Sequence, residues 1–84
     1  MKIGDRVGAI LKADAERVHL LGYGVYRGRD IPPDEMMQEL GIDNPKIQLD
    51  DGRVVWGYQC WWGPEEKVKD QIGGRVIVPA AIDG

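Results

Sequence analysis

The chain has 84 residues, with 11 basic and 14 acidic side chains and a formal net charge of −3. This length predicts a single domain, 1–84, because a chain this short cannot bury two cores. Cys60 is the only cysteine, so no disulfide within the chain can stabilise the core. The core side chains must therefore serve packing first, which argues against a large enclosed catalytic cavity.

The distribution of charge and the lack of targeting signals limit the expected cellular location of the protein and its classes of partner. The basic residues form no run, which disfavours nonspecific nucleic-acid binding. The opening Met1–Asp5 lacks the apolar run of a secretory signal, and no stretch reaches the roughly 18 apolar residues of a membrane span. A single unpartnered thiol agrees with a reducing compartment. We expect a cytoplasmic protein that does not associate with membranes.

The first half of the chain predicts two strands and a short helix. Short apolar runs over 3–11 and 17–26 favour strands, and 27–31 is expected to be the loop that follows the second. Proline and carboxylates over 32–35 predict a helix start, and Gly41 predicts its end. The buried stripe of this helix is expected to be Met36, Met37 and Leu40.

The clearest local signal is a hairpin at Asp51-Gly52. These residue types tolerate the positive φ that a two-residue type I′ turn needs at both positions. That turn would place Leu49 opposite Val54 and Ile47 opposite Trp56. The register predicts one buried face and one wetter face.

The remaining chain predicts one long strand, a helix and a last strand. Continuing the period of two places Tyr58, Cys60 and Trp62 on the Trp56 face and leaves Trp61 on the opposite, more exposed face. A bulge near Gly57 would exchange these two sets. Pro64 and two glutamates predict the start of a helix with Val68 and Ile72 inside, and 75–79 predicts the last strand.

These elements predict a mainly β protein with two short helices and about five strands. The turn Gly4-Asp5-Arg6-Val7 resembles the opening turn of SH3-like barrels, and the short loops favour that form over an OB-like barrel. Residues 49–57 together with Cys60-Trp61-Trp62-Gly63-Pro64 resemble small uncharacterised bacterial or phage proteins. That second resemblance implies no activity.

Aromatic residues provide the main functional signal. Trp56, Tyr58, Trp61 and Trp62 lie within seven residues, and Tyr23 and Tyr26 lie on another strand. One interpretation is that these rings fill a small core that has no Phe. The other is that Trp61 lines a recognition surface, since aromatic residues beside Arg are common in binding hot spots and base-stacking platforms.

Two classes of binding function follow from that surface. The first is a non-catalytic protein-binding module, whose partner is another protein or a second copy of the chain, with Trp61 and Tyr23 or Tyr26 as anchors. The alternative is a binder of a nucleotide or single-stranded nucleic acid, in which a ring stacks on a base and an arginine contacts phosphate. The candidate arginines are Arg27, Arg29 and Arg53.

Catalysis and metal binding have little support in the sequence. His19 and Cys60 each occur once, whereas a structural zinc site needs about four such ligands and a catalytic one about three. A Cys60 nucleophile with His19 as base is the remaining enzyme hypothesis, but a lone cysteine on an inner strand face is more often a small buried hydrophobe. We therefore expect no catalytic residues, no metal and no cofactor.

Overall fold

A computed structural model describes residues 1–82 of the chain and confirms the mainly β class with two short helices. The predicted long strand that ends near Trp62 is interrupted, so the described part has six strands rather than about five. The elements in chain order are β1 (Arg6–Ala13), β2 (Arg17–Asp30), α1 (Glu35–Leu40), β3 (Asn44–Leu49), β4 (Val54–Trp56), a 3-10 turn (Gly57–Gln59), β5 (Trp61–Pro64), α2 (Glu65–Ile72) and β6 (Val76–Pro79).

The strands form one sheet in the order β4-β3-β2-β1-β5. Neighbours along this order are antiparallel, and β6 pairs in parallel with the first part of β2. Over residues 1–82 the end strands β4 and β5 do not pair with each other, so the sheet is not closed into the predicted SH3-like or OB-like barrel. The 3-10 turn after β4 redirects the chain, and β5 then pairs with β1.

The sheet is packed on both faces at β1. Four consecutive residues, Val7 to Ile10, are buried. On one face, Val7 and Ala9 join a core cluster with Leu21, Ile47, Leu49 and Val55. On the other face, Ile10 joins a second cluster with Val18, Val68 and Ile72. Because successive residues of a strand point to opposite faces, one short strand contributes to both clusters.

The second cluster exists because α2 lies across this face of the sheet. Its two buried residues are Val68 and Ile72, as the four-residue spacing predicts. Glu65 and Glu66 lie in the first turn, where carboxylates interact favourably with the helix dipole. Gly73 ends the helix with φ +54°, a conformation that L side chains rarely adopt.

The prediction of a loop over 27–31 is wrong, because β2 continues to Asp30. Its last residues pair with β3, Arg29 opposite Pro45 and Asp30 opposite Asn44. A register shift after Tyr26 accommodates Gly28, whose φ is +83°. A bulge interrupts the alternation of a strand without ending it, so the sequence pattern indicates a strand end where the strand continues.

Helix α1 is capped as predicted but is not buried. The Asp34 side chain accepts a hydrogen bond from the Met37 N–H, and Gly41 adopts the left-handed conformation. None of its residues is buried, and Met36 and Leu40 are 67% and 65% exposed. The predicted buried stripe is therefore wrong for Met36 and Leu40, and Met37 is only half-buried.

The hairpin register differs from the predicted one by one residue. Ile47 lies opposite Val55, and Gln48 opposite Val54. Only Gly52 in the loop has positive φ, which excludes a type I′ turn, and the Gly52 N–H donates to the Leu49 carbonyl. Asp50 thus belongs to the loop, and the shift buries Val55 and leaves Val54 41% exposed.

An exposed cluster joins the hairpin loop to the starts of β1 and α2. The guanidinium of Arg6 donates two hydrogen bonds of 2.7 Å to the Asp50 carboxylate and one of 3.1 Å to Glu65. The bonds from Arg6 hold the pKa of Asp50 below its usual value. This bidentate geometry fixes the loop against the strand rather than adding much free energy, because exposed ion pairs are weak.

Gly8→Ala tests the close packing of α2 on β1. A Cβ at Gly8 would lie 2.9 Å from Val68 Cγ1 and 3.0 Å from Tyr23 Cδ1. We expect a loss of about 1–3 kcal/mol in the free energy of unfolding, measured by urea denaturation. Gly63 is the matched control, because it lies opposite Gly8 and its added Cβ would meet nothing within 4 Å. Equal stability of Gly8→Ala and Gly63→Ala would contradict the packing described.

Candidate binding site

The candidate site lies where β5 begins, at Trp61, beside the middle of β1. The register of these two strands runs from Val7 opposite Pro64 to Ile10 opposite Trp61. Strand β1 continues to Ala13, so in the described part of the chain its last three residues have a strand neighbour, β2, on one side only. Trp61 thus marks the point where one edge of β1 becomes open.

A groove of about 300 Å³ occupies this open edge. Its apolar lining consists of Ile10, Leu11, Ala13 and the indole of Trp61. Trp61 is 49% exposed, as its place in the strand alternation predicts. The complete lining is Ile10, Leu11, Lys12, Ala13, Trp61, Gln71 and Arg75.

The groove carries two positive charges and no negative one among its lining residues. Within residues 1–82, neither Lys12 nor Arg75 forms an ion pair with a carboxylate. Arg75 instead donates to the backbone carbonyls of Asp14, Gln71 and Ile72. Those three bonds leave two of its five N–H donors available. The groove therefore suits an apolar group that carries a carboxylate or a phosphate close by.

The sequence did not single out Lys12 or Arg75. They lie 63 residues apart in the sequence. They meet because α2 returns the chain to β1 before β6 pairs with β2. One signal was present: Arg75 follows the Gly73-Gly74 helix stop, where a basic side chain commonly bonds the last helix carbonyls. That signal indicates a cap, and only the fold shows that the cap borders a groove.

The two tyrosines expected to act with Trp61 lie elsewhere. Tyr26 stacks on Trp62 with ring centroids 5.5 Å apart and an interplanar angle of 8°, and both pack against the first core cluster. Tyr23 packs against the second cluster, with the Lys69 ammonium 5.7 Å from its ring centroid. Neither tyrosine lines the Trp61 groove.

The three candidate arginines are engaged in other contacts. Arg27 donates to the Gln48 side chain, and Arg29 forms an ion pair with Asp43. Arg53 donates to the carbonyls of Leu21 and Ala80 and to the Asp51 carboxylate. None of the three lines the Trp61 groove, so the six residues predicted as a site do not form one surface around it.

A second, smaller cavity of about 180 Å³ lies at the hairpin loop, beside Tyr23, Leu49 and Gly22. Its charged residues are Asp50 and Asp51, which are already paired with Arg6 and Arg53. The cavity has less free space and fewer free polar groups than the Trp61 groove, so we place the candidate site at the groove.

Cys60 and His19 show no catalytic arrangement. The Cys60 thiol packs against the first core cluster and donates to the Trp56 carbonyl at 3.5 Å. Burial raises its pKa to about 11, so the thiol is protonated at neutral pH. His19 lies on β2, opposite Lys12 and Val78 of its two neighbouring strands. Among residues 1–82, no group of three or more His, Cys, Asp or Glu could hold a metal.

Comparison with protein-family models, curated proteins and solved structures gives no match for this chain. Neither helix of the described region has the length and apolar character needed to cross a bilayer. The site must therefore be interpreted from its own geometry.

The raised pKa of Cys60 predicts a slowly reacting thiol. With a pKa of about 11, the thiolate fraction at pH 7.5 is far smaller than for a free cysteine. We expect the native protein to react with a disulfide reagent at least about tenfold more slowly than the urea-unfolded chain. Equal rates in the two states would show that Cys60 is activated or exposed and would return it to the list of candidate nucleophiles.

Proposed function

We propose that the protein is a non-catalytic protein-binding module and that the groove beside Trp61 receives a segment of the partner. The observation that carries this proposal is a half-exposed indole lining a largely apolar groove of about 300 Å³. Tryptophan is one of the residue types enriched among the hot spots that dominate binding energy at protein interfaces. The volume is at the lower end for ligand sites, which suits one side chain of a polypeptide.

The open edge of β1 offers backbone groups to such a partner. The Asp14 N–H donates to the Arg17 carbonyl, so this residue faces β2. In an antiparallel ladder, alternate residues direct their N–H and C=O groups to opposite sides. The backbone of Ala13 is therefore directed away from β2, towards the edge that β5 leaves unpaired beyond Ile10. A main chain lying in the groove could bond to it, as in other edge-strand interactions.

The charges of the groove define the chemistry of the partner segment. Lys12 and Arg75 favour a segment with Asp or Glu beside its apolar residue. Tyr23 and Tyr26, which the sequence suggested as additional anchors, do not line the groove. In this proposal Trp61 is therefore the anchor. The proposal includes a cytoplasmic location, supported by the single unpaired Cys60 thiol.

The test is a selection of binding peptides followed by affinity measurements. Peptides enriched on the wild-type protein from a random display library are expected to share an aliphatic residue flanked by Asp or Glu. For such a peptide, Trp61→Ala should raise the Kd at least about tenfold, the effect of losing a hot-spot side chain. Isothermal titration calorimetry would give both Kd values.

Tyr58→Ala provides the matched control. Tyr58 is also an exposed aromatic residue, at 48%, but it does not line the groove. We expect Tyr58→Ala to bind the selected peptide like the wild type, with circular dichroism confirming that both variants are folded. Equal Kd values for Trp61→Ala and the wild type would contradict the proposal.

A nucleotide or single-stranded nucleic acid is the second candidate, favoured by the exposed indole that lines the groove together with two cationic side chains. A base can stack on Trp61, but the phosphate contacts would come from Lys12 and Arg75 rather than from Arg27, Arg29 or Arg53. Tryptophan quenching by a mixed nucleotide panel at low salt, abolished by Trp61→Ala and weakened steeply by added salt, would assign the groove to this ligand class instead.

A further inference from the structure

Helix α1 presents an exposed apolar surface. Met36 and Leu40 are four residues apart, so they lie on one face of the helix, and both are about two-thirds exposed. Ile42, just after the helix, is also exposed. None of the α1 residues is buried. The sequence pattern that predicted a buried stripe is therefore present, but within residues 1–82 the chain supplies nothing to cover it.

The same helix is acidic. Glu35 and Glu39 lie beside the two exposed apolar residues, and the last turn contains no basic residue. Over residues 1–82, neither glutamate forms an ion pair. Helix α1 thus combines exposed aliphatic side chains with free carboxylates, which is the segment chemistry that the groove favours.

The two surfaces lie at opposite ends of the longest strand. Helix α1 follows Asp30, the last residue of β2, whereas the groove lies at the end of β1, where Ala13 is opposite Val18 near the start of β2. Strand β2 has 14 residues, and the longest dimension of the molecule is 42 Å. Helix α1 therefore cannot reach the groove of its own chain.

We propose that α1 of one copy of the chain occupies the Trp61 groove of a second copy. This inference rests on the proposed function of the groove as a polypeptide site, and it names the occupant. Leu40 and Met36 would pack against the apolar lining of the groove, while Glu39 or Glu35 would lie near Lys12 and Arg75. The complementarity is of charge as well as polarity: an acidic apolar helix meets a basic apolar groove on the same molecule.

The contact between α1 and the groove is small, so the association is expected to be weak. Helix α1 has six residues, so the area it buries falls below the roughly 1,200 Å² of a standard stable interface. We therefore expect weak, concentration-dependent self-association. Each contact leaves one helix and one groove free, and these can be filled reciprocally by the same two copies or by further copies.

The test is analytical ultracentrifugation of the full chain over a concentration series that reaches the millimolar range. Leu40→Asp disables the helix and Trp61→Ala disables the groove, and both residues are exposed enough for the fold to tolerate the change. We expect the mass of the wild type to rise with concentration, while each variant alone remains monomeric. Tyr58→Ala, the control, should associate like the wild type.

An equal mixture of Leu40→Asp and Trp61→Ala distinguishes this contact from any other. One variant keeps an intact groove and the other an intact helix, so the mixture should form complexes of two copies although neither variant associates alone. A mixture that stays monomeric, or variants that associate like the wild type, would overturn the inference. If Leu40→Asp does not fold, Met36→Asp takes its place.

A separate outcome distinguishes this inference from the proposed function. If the wild type stays monomeric throughout while a selected peptide binds in a Trp61-dependent manner, the groove is a polypeptide site but α1 is not its occupant. If the protein self-associates independently of Trp61 and no peptide depends on that residue, both proposals fail.

Discussion

The burial of β1 on both faces is the constraint around which the other elements are arranged. Val7 and Ala9 face the first core cluster, and Ile10 faces the second. A chain of 84 residues buries a smaller fraction of its surface than a larger domain does, so one strand that serves two clusters makes efficient use of few apolar residues. This arrangement requires α2 to approach closely, and Gly8 allows it because a Cβ there would touch Val68.

The candidate site follows from where the pairing of β1 with a strand on each side stops. Strand β5 covers the edge of β1 only as far as Ile10, and Trp61 is the last residue of that pairing. Beyond it, the chain is still a strand but one edge is open, and the end of α2 brings Arg75 alongside. The open edge beside Trp61 thus arises from the mismatch in length between β1 and β5. Binding is the function that this combination supports best.

Elements whose signals are adjacent in the chain could be predicted from the sequence. Sites formed by residues that are distant in the chain could not. Helix α2 was predicted from Pro64 and the Val68–Ile72 spacing because its signals are adjacent in the chain. The hairpin register was missed by one residue because Asp50 belongs to the loop, and the short Asp51-Gly52 motif does not determine the loop length.

The exposure of Trp61 was predicted by alternation, although a 3-10 turn interrupts the strand and leaves Tyr58 exposed. Lys12 and Arg75 could not be paired from the sequence, because long-range strand pairing brings them together.

The most direct measurement of the central claim is solvent accessibility at each of the three indoles. Two-dimensional NMR resolves the Nε1–H signals of Trp56, Trp61 and Trp62, and single Trp→Phe variants assign them. With a soluble paramagnetic agent, we expect the Trp61 signal to broaden far more than that of Trp56, which is 7% exposed, or that of Trp62, which is stacked on Tyr26. Equal broadening of all three signals, or a protected Trp61 in a monomer, would contradict the groove as a binding site.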